Sequence, residues 1–584
     1  MNRYRLGNLL VTVCLWLAGQ GQCLAGNLQQ EEVTTTPAYA DGVLYSASTE
    51  IVNHRGHLRA IDVLDPLPRV LWDAAEQVPP AGTSRTQPES VHPDNLYRTI
   101  FTNLNNLLLP LEAGQAEHLQ LILGSASLAE AEILLHAVRG RRGGTPELTA
   151  GTAEDPQRLW GISRSSPVLV GGSPVDREAR QRPRMLYVGA EDGMLHAFFV
   201  SRREFDNGSY LIDDPDGGTE LWAYLPGSFL AQLHEQPLDD LAAPSAIHID
   251  GTPVITEQFV DFDGDGQRTW RTLLIATGTA VQNRRSCLFV LDITNPYQPG
   301  LVWEMQLPGS GAGRTRGVNL ARCNDGLSNC LYLTADFASQ TGSAGLHALA
   351  VSLAEGQLLW QFTTRYAAAG PVAEATPAVP ALMDLDGDER QDTLVFGDLI
   401  GRLWALDLDD GRAYGDNPVF STPGGVDEPI GAGVAVHNNI VVFGTGGVAA
   451  ASDPFQYALY AVKVSVDGGS LRWRYALQPG ENVWATPTLD NFGKVMFATT
   501  SDYLPSSQAS EQPTTGRLVA IDNEGVESSS RETAAATLGR VVIAPGIIVS
   551  VDLHGTVTQF GTASRLAGPI GGRGAVRILS WRAL

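Results

Sequence analysis

Basic residues are scarce in this chain. Lys and Arg number 40 against 64 Asp and Glu, giving a formal charge of −24. That balance argues against a nucleic-acid partner or an anionic membrane surface, both of which demand basic patches. Apolar runs are short: past the first 25 residues none approaches the ~20 residues of a membrane-spanning helix, so no membrane span is expected. Cysteine is also rare, with five in all, and two of these (Cys14 and Cys23) fall in the first 25 residues. Of the remaining three, Cys323 and Cys330 are close enough in sequence to close a small disulfide loop in an oxidising compartment, leaving Cys287 over. Helical periodicity is thinly spread. What abounds is the punctuation of short strands and turns, with 62 Gly and 34 Pro among 584 residues.

The first 25 residues read as a secretory leader. Arg3 and Arg5 supply the positive start, Leu9 to Ala18 the apolar stretch, and Cys23-Leu-Ala25 a small-x-small cleavage site. Gln20 stands where a lipobox needs an apolar residue, so no lipid anchor is expected. The mature chain is expected to begin near Gly26 and to be exported.

Residues 26–156 differ from the rest and are expected to form a small mixed α/β region with a connector. Ala38 to Ile51 reads as a strand pair and Leu58-Arg-Ala-Ile-Asp62 as a further strand. Ser127 with Glu130 forms a capping box, followed by Ala131, Leu134, Leu135 and Val138 on one helical face. Arg139-Gly-Arg-Arg-Gly-Gly opens a Gly/Pro/Thr-rich connector.

From residue 157 to 584 one phrase recurs: an apolar strand, a Gly turn, an Ala-apolar-Asp strand, then Gly and Trp. Leu394-Val-Phe-Gly-Asp398 leading to Leu403-Trp-Ala-Leu-Asp407 is one copy, and Val495-Met-Phe-Ala-Thr499 leading to Leu518-Val-Ala-Ile-Asp522 is another. Such units bury their faces only against their neighbours, which is the logic of a β-propeller. The expected fold is all-β, a quinoprotein-like β-propeller of about seven blades, with the repeated Trp residues packing between blades. Long insertions such as 202–219 and 307–330 are expected on the rims.

Within this pattern lies an acidic loop. Asp384, Asp386 and Asp388 alternate, Gly387 supplies a turn, and Asp392 follows four residues later. Carboxylates at loop positions one, three, five and nine, with the main-chain carbonyl of Arg390 at position seven, make an oxygen cage suited to Ca²⁺. Carboxylates this close repel one another unless a cation neutralises them. An EF-hand would close with Glu at position twelve and a second helix. Here Val395 stands there and Thr393 to Phe396 reads as a strand, so the loop is expected on a β-hairpin. A second loop, Asp261-Phe-Asp263-Gly-Asp265, has the first three positions but Thr269 at the ninth, which predicts a weaker calcium site.

Several longer stretches carry a family resemblance. Leu159-Trp-Gly-Ile-Ser-Arg-Ser-Ser-Pro, Tyr187-Val-Gly-Ala-Glu-Asp-Gly-Met-Leu-His-Ala-Phe198, His248-Ile-Asp-Gly-Thr-Pro253 and Trp270-Arg-Thr-Leu-Leu274 belong to the set. So do Leu291-Asp-Ile-Thr-Asn-Pro296, Gly397-Asp-Leu-Ile-Gly-Arg-Leu-Trp404, Phe443-Gly-Thr-Gly446 and Ser580-Trp-Arg582. In this order they resemble the C-terminal β-propeller of type IV pilus biogenesis factors and tip-associated adhesins. The resemblance implies a non-enzymatic, calcium-binding protein of the fimbrium that supports pilus assembly, cell adhesion and twitching motility. It implies minor pilins or other pilus components as partners, with a host or surface ligand in addition. The implied location is the periplasm and outer membrane, the pilus tip or the cell surface. The chain departs from larger members of that family in lacking Asp-x-Ser-x-Ser and Arg-Gly-Asp motifs. Thr279-Ala-Val-Gln-Asn-Arg-Arg285 also replaces their glycine-rich turn.

Two other functions share part of this signature. A quinoprotein dehydrogenase that uses pyrroloquinoline quinone has the same propeller and also Ca²⁺, but commonly a vicinal cysteine pair, and no two cysteines here are adjacent. A periplasmic or outer-membrane assembly scaffold has no need of a calcium loop. His196 and His248 sit in strand-like sequence without a companion at a telling spacing, so they are expected to be packed histidines.

Overall fold

The computed structural model describes residues 31–561, apart from 79–97, 140–158, 236–244, 308–316, 368–378, 447–455, 502–514 and several shorter segments. The leader read at 1–25 lies outside the described residues. The chain folds as a β-propeller of eight blades, one more than the expected seven. The additional blade comes from residues 31–73, which the sequence had grouped with the mixed N-terminal region. Its strands are Ala38–Ala40, Val43–Glu50, Gly56–Asp62 and Arg69–Asp73, and they obey the same repeat: Leu58-Arg-Ala-Ile-Asp62 followed by Trp72.

In each complete blade four antiparallel strands, A to D, run outward in sequence order. A strands of blades 3 to 7 touch in succession around the axis, and so do those of blades 8 and 1. Blade 5 shows the plan: A is Ala381–Met383, B is Thr393–Gly397, C is Arg402–Asp407 and D is Phe420–Ser421. Alternate residues of each strand face opposite neighbours, so the apolar core is divided among the gaps between blades. Eight buried clusters result among the described residues. One joins Val43, Tyr45 and Ala60 of blade 1 to Leu186, Val188 and Phe198 of blade 2, and another joins Leu44 and Val63 of blade 1 to Val549 and Val551 of blade 8.

Tryptophans on the D strands lock adjacent blades, as the repeat predicts. Trp222 Nε1 donates to Pro296 O at 2.8 Å, Trp303 to Leu353 O at 2.7 Å, Trp360 to Leu408 O at 2.8 Å and Trp473 to Asn523 O at 3.1 Å. Each acceptor follows the C strand of the next blade. The ring often lies against a left-handed glycine there: a Cβ on Gly356 or Gly525 would come 2.8 Å from the indole. Only glycine fits both the positive φ and the close approach.

Blade 2 is enlarged to six strands. Ile100–Leu104 runs parallel to its D strand, Glu220–Leu225, and Leu107–Pro110 adds outside it. The capped helix follows as expected at Leu128–Val138, with the Ser127 hydroxyl accepting from Glu130 N–H at 3.2 Å. Its buried face is Ala131, Leu135 and Val138, with Leu134 packed against the same core. No described helix is long and apolar enough to cross a membrane.

Candidate metal centre

The acidic loop connects the A and B strands of blade 5, as the sequence predicts. The pairing of Met383 with Thr393 closes the hairpin, and Asp392 N–H donates to Met383 O at 3.0 Å. Asp384, Asp386 and Asp388 each present a carboxylate oxygen, and these three lie within 4.8 Å of one another. Asp386 and Asp388 are exposed and Asp384 is half-buried, so the cluster opens to solvent.

Local hydrogen bonds fix the shape. The two Asp384 oxygens accept from Gly387 and Glu389 N–H at 2.7 and 2.8 Å. Asp386 accepts from Asp388 N–H at 3.0 Å, and Asp388 from Arg390 N–H at 2.8 Å. Gly387 has φ +83° and Glu389 φ +69°, so the chain turns twice through the left-handed region. An added Cβ on Gly387 would meet nothing within 4 Å, so backbone conformation alone calls for glycine there.

Asp392 holds a different place from its three partners. Its carboxylate lies outside the cluster of three and accepts from Leu385 N–H at 3.0 Å, Asp386 N–H at 3.2 Å and the Thr393 hydroxyl at 2.6 Å. It therefore braces the loop from beneath. More negative charge surrounds it: burial, and then Asp407, Asp410 and Asp392, raise the Asp409 carboxyl above its ordinary range. Arg390 extends toward the neighbouring blade, where a Cβ on Gly326 would stand 3.0 Å from its guanidinium. Gly326 sits in the loop bounded by Cys323 and Cys330, which are joined by a disulfide with Cα atoms 5.2 Å apart. Cys287 is a buried free thiol.

The donor set suits a hard cation. Carboxylate oxygens with a neighbouring carbonyl favour Ca²⁺ or Mg²⁺, and a solvent-open set of carboxylates is better matched to calcium, which accepts more oxygen ligands in looser geometry. The same aspartates also form short-range turns with their own backbone, which shapes the loop before any ion arrives. At the second acidic loop, Asp261 accepts from Gly266 N–H at 2.8 Å, while Asp263 and Asp265 lie outside the described residues.

Both singled-out histidines are buried. His196 Nδ1 lies 2.6 Å from Glu220 and its Nε2 lies 3.2 Å from Asp192, while Arg98 donates to Glu220 at 2.8 Å. Burial alone would lower its pKa, but Asp192 and Glu220 carry it up to about 9. Glu220 is drawn down to about 2: burial opposes this, and Arg98 and His196 outweigh it. The sequence reading missed these companions, although Asp192 stands only four residues before His196. Burial lowers His248 to about 4, with the nearby Arg164 charge acting in the same direction.

A further group gathers Glu31, Glu50 and His57. Its members are already paired: His57 lies between Glu50 and Asp73 at 2.8 and 2.7 Å, and Arg59 binds both oxygens of Glu31 at 2.5 and 2.9 Å. Glu481 and Arg517 repeat that double contact in blade 7 at 2.7 and 2.8 Å, which marks it as a device of the fold.

No family model matches the chain. Among curated proteins it is 29% identical over 298 residues to the type IV pilus biogenesis factor PilY1 of Pseudomonas aeruginosa (strain UCBPP-PA14), covering 46% of this chain and 23% of that protein. It is likewise 29% identical over 299 residues to a PilY1 homolog of Xylella fastidiosa, covering 46% of this chain and 18% of that one. The match thus spans about a fifth of the relatives' own length. Among solved structures, the computationally designed Ika8 protein aligns over 91% of this chain and 96% of its own, with a TM-score of 0.41 and 11% identity. A likeness that low carries no argument.

Proposed function

We propose that this chain, a relative of the type IV pilus biogenesis factors, is a non-enzymatic pilus factor whose propeller binds calcium at Asp384, Asp386 and Asp388. In this reading it assembles with minor pilins or other pilus components at the envelope or pilus tip and supports adhesion and twitching motility. The observation that carries the pilus role is the kinship with proteins named for it, at 26–29% identity over about 45% of the chain.

The calcium reading rests on the loop itself. Three carboxylates converge within 4.8 Å on an exposed hairpin, beside the further acidic side chains Asp392, Asp407 and Asp409. A bound cation relieves that repulsion. Asp392 serves as the brace that sets the loop, and the Arg390 carbonyl supplies a further oxygen.

Deleting the gene in the source organism tests the role. The expected outcome is fewer surface pili and reduced twitching, restored by the wild-type copy. Normal piliation and motility in the deletion strain, or quinone-dependent dye reduction by the purified protein, would overturn it.

A further inference from the structure

Among the described residues one covalent cross-link is present, and it stands beside the acidic loop. Blade 4 opens with a hairpin like that of blade 5: Val318–Arg322 is its A strand, Asn329–Ala338 its B strand, and Arg322 lies opposite Asn329. The Cys323–Cys330 disulfide closes the connection between them, and the A strands of blades 4 and 5 touch. Both cysteines belong to the seam between the two blades. Cys330 is buried with Leu394 and Phe396 of blade 5, and Cys323 and Leu382 pack against the same cluster. Leu382 lies opposite Leu394, one pair from Met383 and Thr393, which close the hairpin under the acidic loop. The disulfide and the base of that loop therefore share one apolar seam.

A second link runs over the surface. Position seven of the loop is Arg390, an odd choice beside a cation site, because its charge repels the ion. Its N–H donates to Asp388 at 2.8 Å. Its guanidinium leaves the three aspartates and reaches blade 4, where a Cβ on Gly326 would stand 3.0 Å from Nη2. Gly326 is itself held in place. It has φ +65°, its N–H donates to Cys323 O at 2.9 Å, and its carbonyl accepts from Arg322 Nη1 at 2.9 Å. Cys323 N–H donates to Ser328 O at 3.0 Å, so the cross-link and these bonds fix the turn on which Arg390 rests.

We propose that the Cys323–Cys330 disulfide gates the acidic loop of blade 5. Closed, it holds Gly326 and the shared seam, anchors the Arg390 side chain and so keeps the Arg390 carbonyl in the calcium cage. Opened, it frees both, and calcium binds more weakly. Arg390 is then a positioning residue, its side chain acting through its own carbonyl. Opening breaks the Sγ–Sγ bond: a dithiol supplies two electrons and two protons, Cys323 and Cys330 become thiols, and the reductant leaves as its own disulfide. Calcium loading is thereby tied to an oxidising compartment. The inference rests on the calcium reading of Asp384, Asp386 and Asp388.

Calorimetric calcium titration of the intact chain tests it, with the protein oxidised, reduced by a dithiol and then reoxidised. Arg390→Ala and the double variant Cys323→Ser/Cys330→Ser are measured beside it. Affinity should fall at least about threefold on reduction and in both altered proteins, and should return on reoxidation. The direction for Arg390→Ala is diagnostic, since removing a charge that only repelled the ion would tighten binding. Adding Arg390→Ala to the double cysteine variant should cause no further loss, because the two act as one unit. Should the substituted proteins fail to fold, reduction and reoxidation of the wild type decide alone. Unchanged affinity on reduction, or tighter binding by Arg390→Ala, would overturn the proposal and leave the calcium reading standing. No heat from the oxidised wild type at millimolar calcium would overturn both.

Discussion

Replacing Glu220 by Gln should destabilise the propeller severely, because it takes the closer carboxylate from two buried cations at once. The Glu220 and His196 side chains are fully buried and that of Arg98 is 1% exposed. In the wild type Arg98 and His196 balance Glu220 and Asp192, so the buried group of four is neutral. After the substitution Arg98 keeps only Asp192, at 3.8 Å, and His196 loses its closer partner. Removing one partner of a buried pair costs about 3–5 kcal/mol, since the remaining charge stays out of water. With ~2–4 °C per kcal/mol in a domain of 150–250 residues, melting should fall by roughly 6–20 °C, toward the smaller figure in a chain this long.

The pH dependence supplies a second readout. His196 is raised from 6.5 to about 9, so its stabilising contribution is complete below pH 6.5 and lost as pH rises through about 9. The slope between those values should become shallower in Glu220→Gln, because one of the two carboxylates that hold the proton is gone and only Asp192 remains. Glu527 is the control: it pairs with Tyr475 and Arg517 at the surface, and Glu527→Gln should cost under ~1 kcal/mol. Scanning calorimetry from pH 6 to 9 on the three proteins checks both statements. Equal melting of the two variants, with the alkaline slope unchanged, would refute the reasoning.

Other expectations follow from the same geometry. On the acid side, His248 is lowered to about 4, so the unfolded chain binds the extra proton between pH 6.5 and 4 and stability should fall across that window; a flat denaturation midpoint there would contradict this. Asp388→Ala should weaken calcium binding at least about tenfold in calorimetric titration without unfolding the ring, since the loop is one hairpin of one blade; equal heats from both proteins would mean the aspartates form only a turn. For a site with a dissociation constant near ~10 μM, millimolar calcium stabilises the fold by about 2.7 kcal/mol, a shift that chelator should remove. Asp388→Lys, which relieves the same repulsion with its own ammonium, should reproduce part of that shift without calcium. Cys323→Ser opens a seven-residue separation and should cost about 2.5 kcal/mol by chain entropy; a cost near zero in urea unfolding would place the loop's order elsewhere.

Much of this was legible because it is local. The acidic hairpin loop needs only alternating aspartates and a glycine, and the capped helix needs only Ser127, Glu130 and one apolar face. The propeller repeat shows because each blade is assembled from consecutive strands. Blade 1 carried the same phrase, Leu58-Arg-Ala-Ile-Asp62 and then Trp72, but it stands apart from the other copies, separated by residues 74–158. The pairing that enlarges blade 2 was not legible, since Ile100–Leu104 joins a strand more than a hundred residues later. Arg98 likewise meets Glu220 across 122 positions, and sequence spacing says nothing about such a pair. The hydrogen bonds that Asp392 accepts from Leu385, Asp386 and Thr393 were not legible either, since position nine of a calcium loop and a hydrogen-bonded turn ask for the same residue.

If the chain is a calcium-binding pilus factor, its association with pilus components should respond to calcium. Affinity capture of the tagged protein from sheared pilus fractions, with millimolar calcium and then with chelator, tests it most directly. Pilin subunits should be recovered with calcium and be lost, or sharply reduced, with chelator or in Asp388→Ala. Recovery of no pilus component under either condition would contradict it.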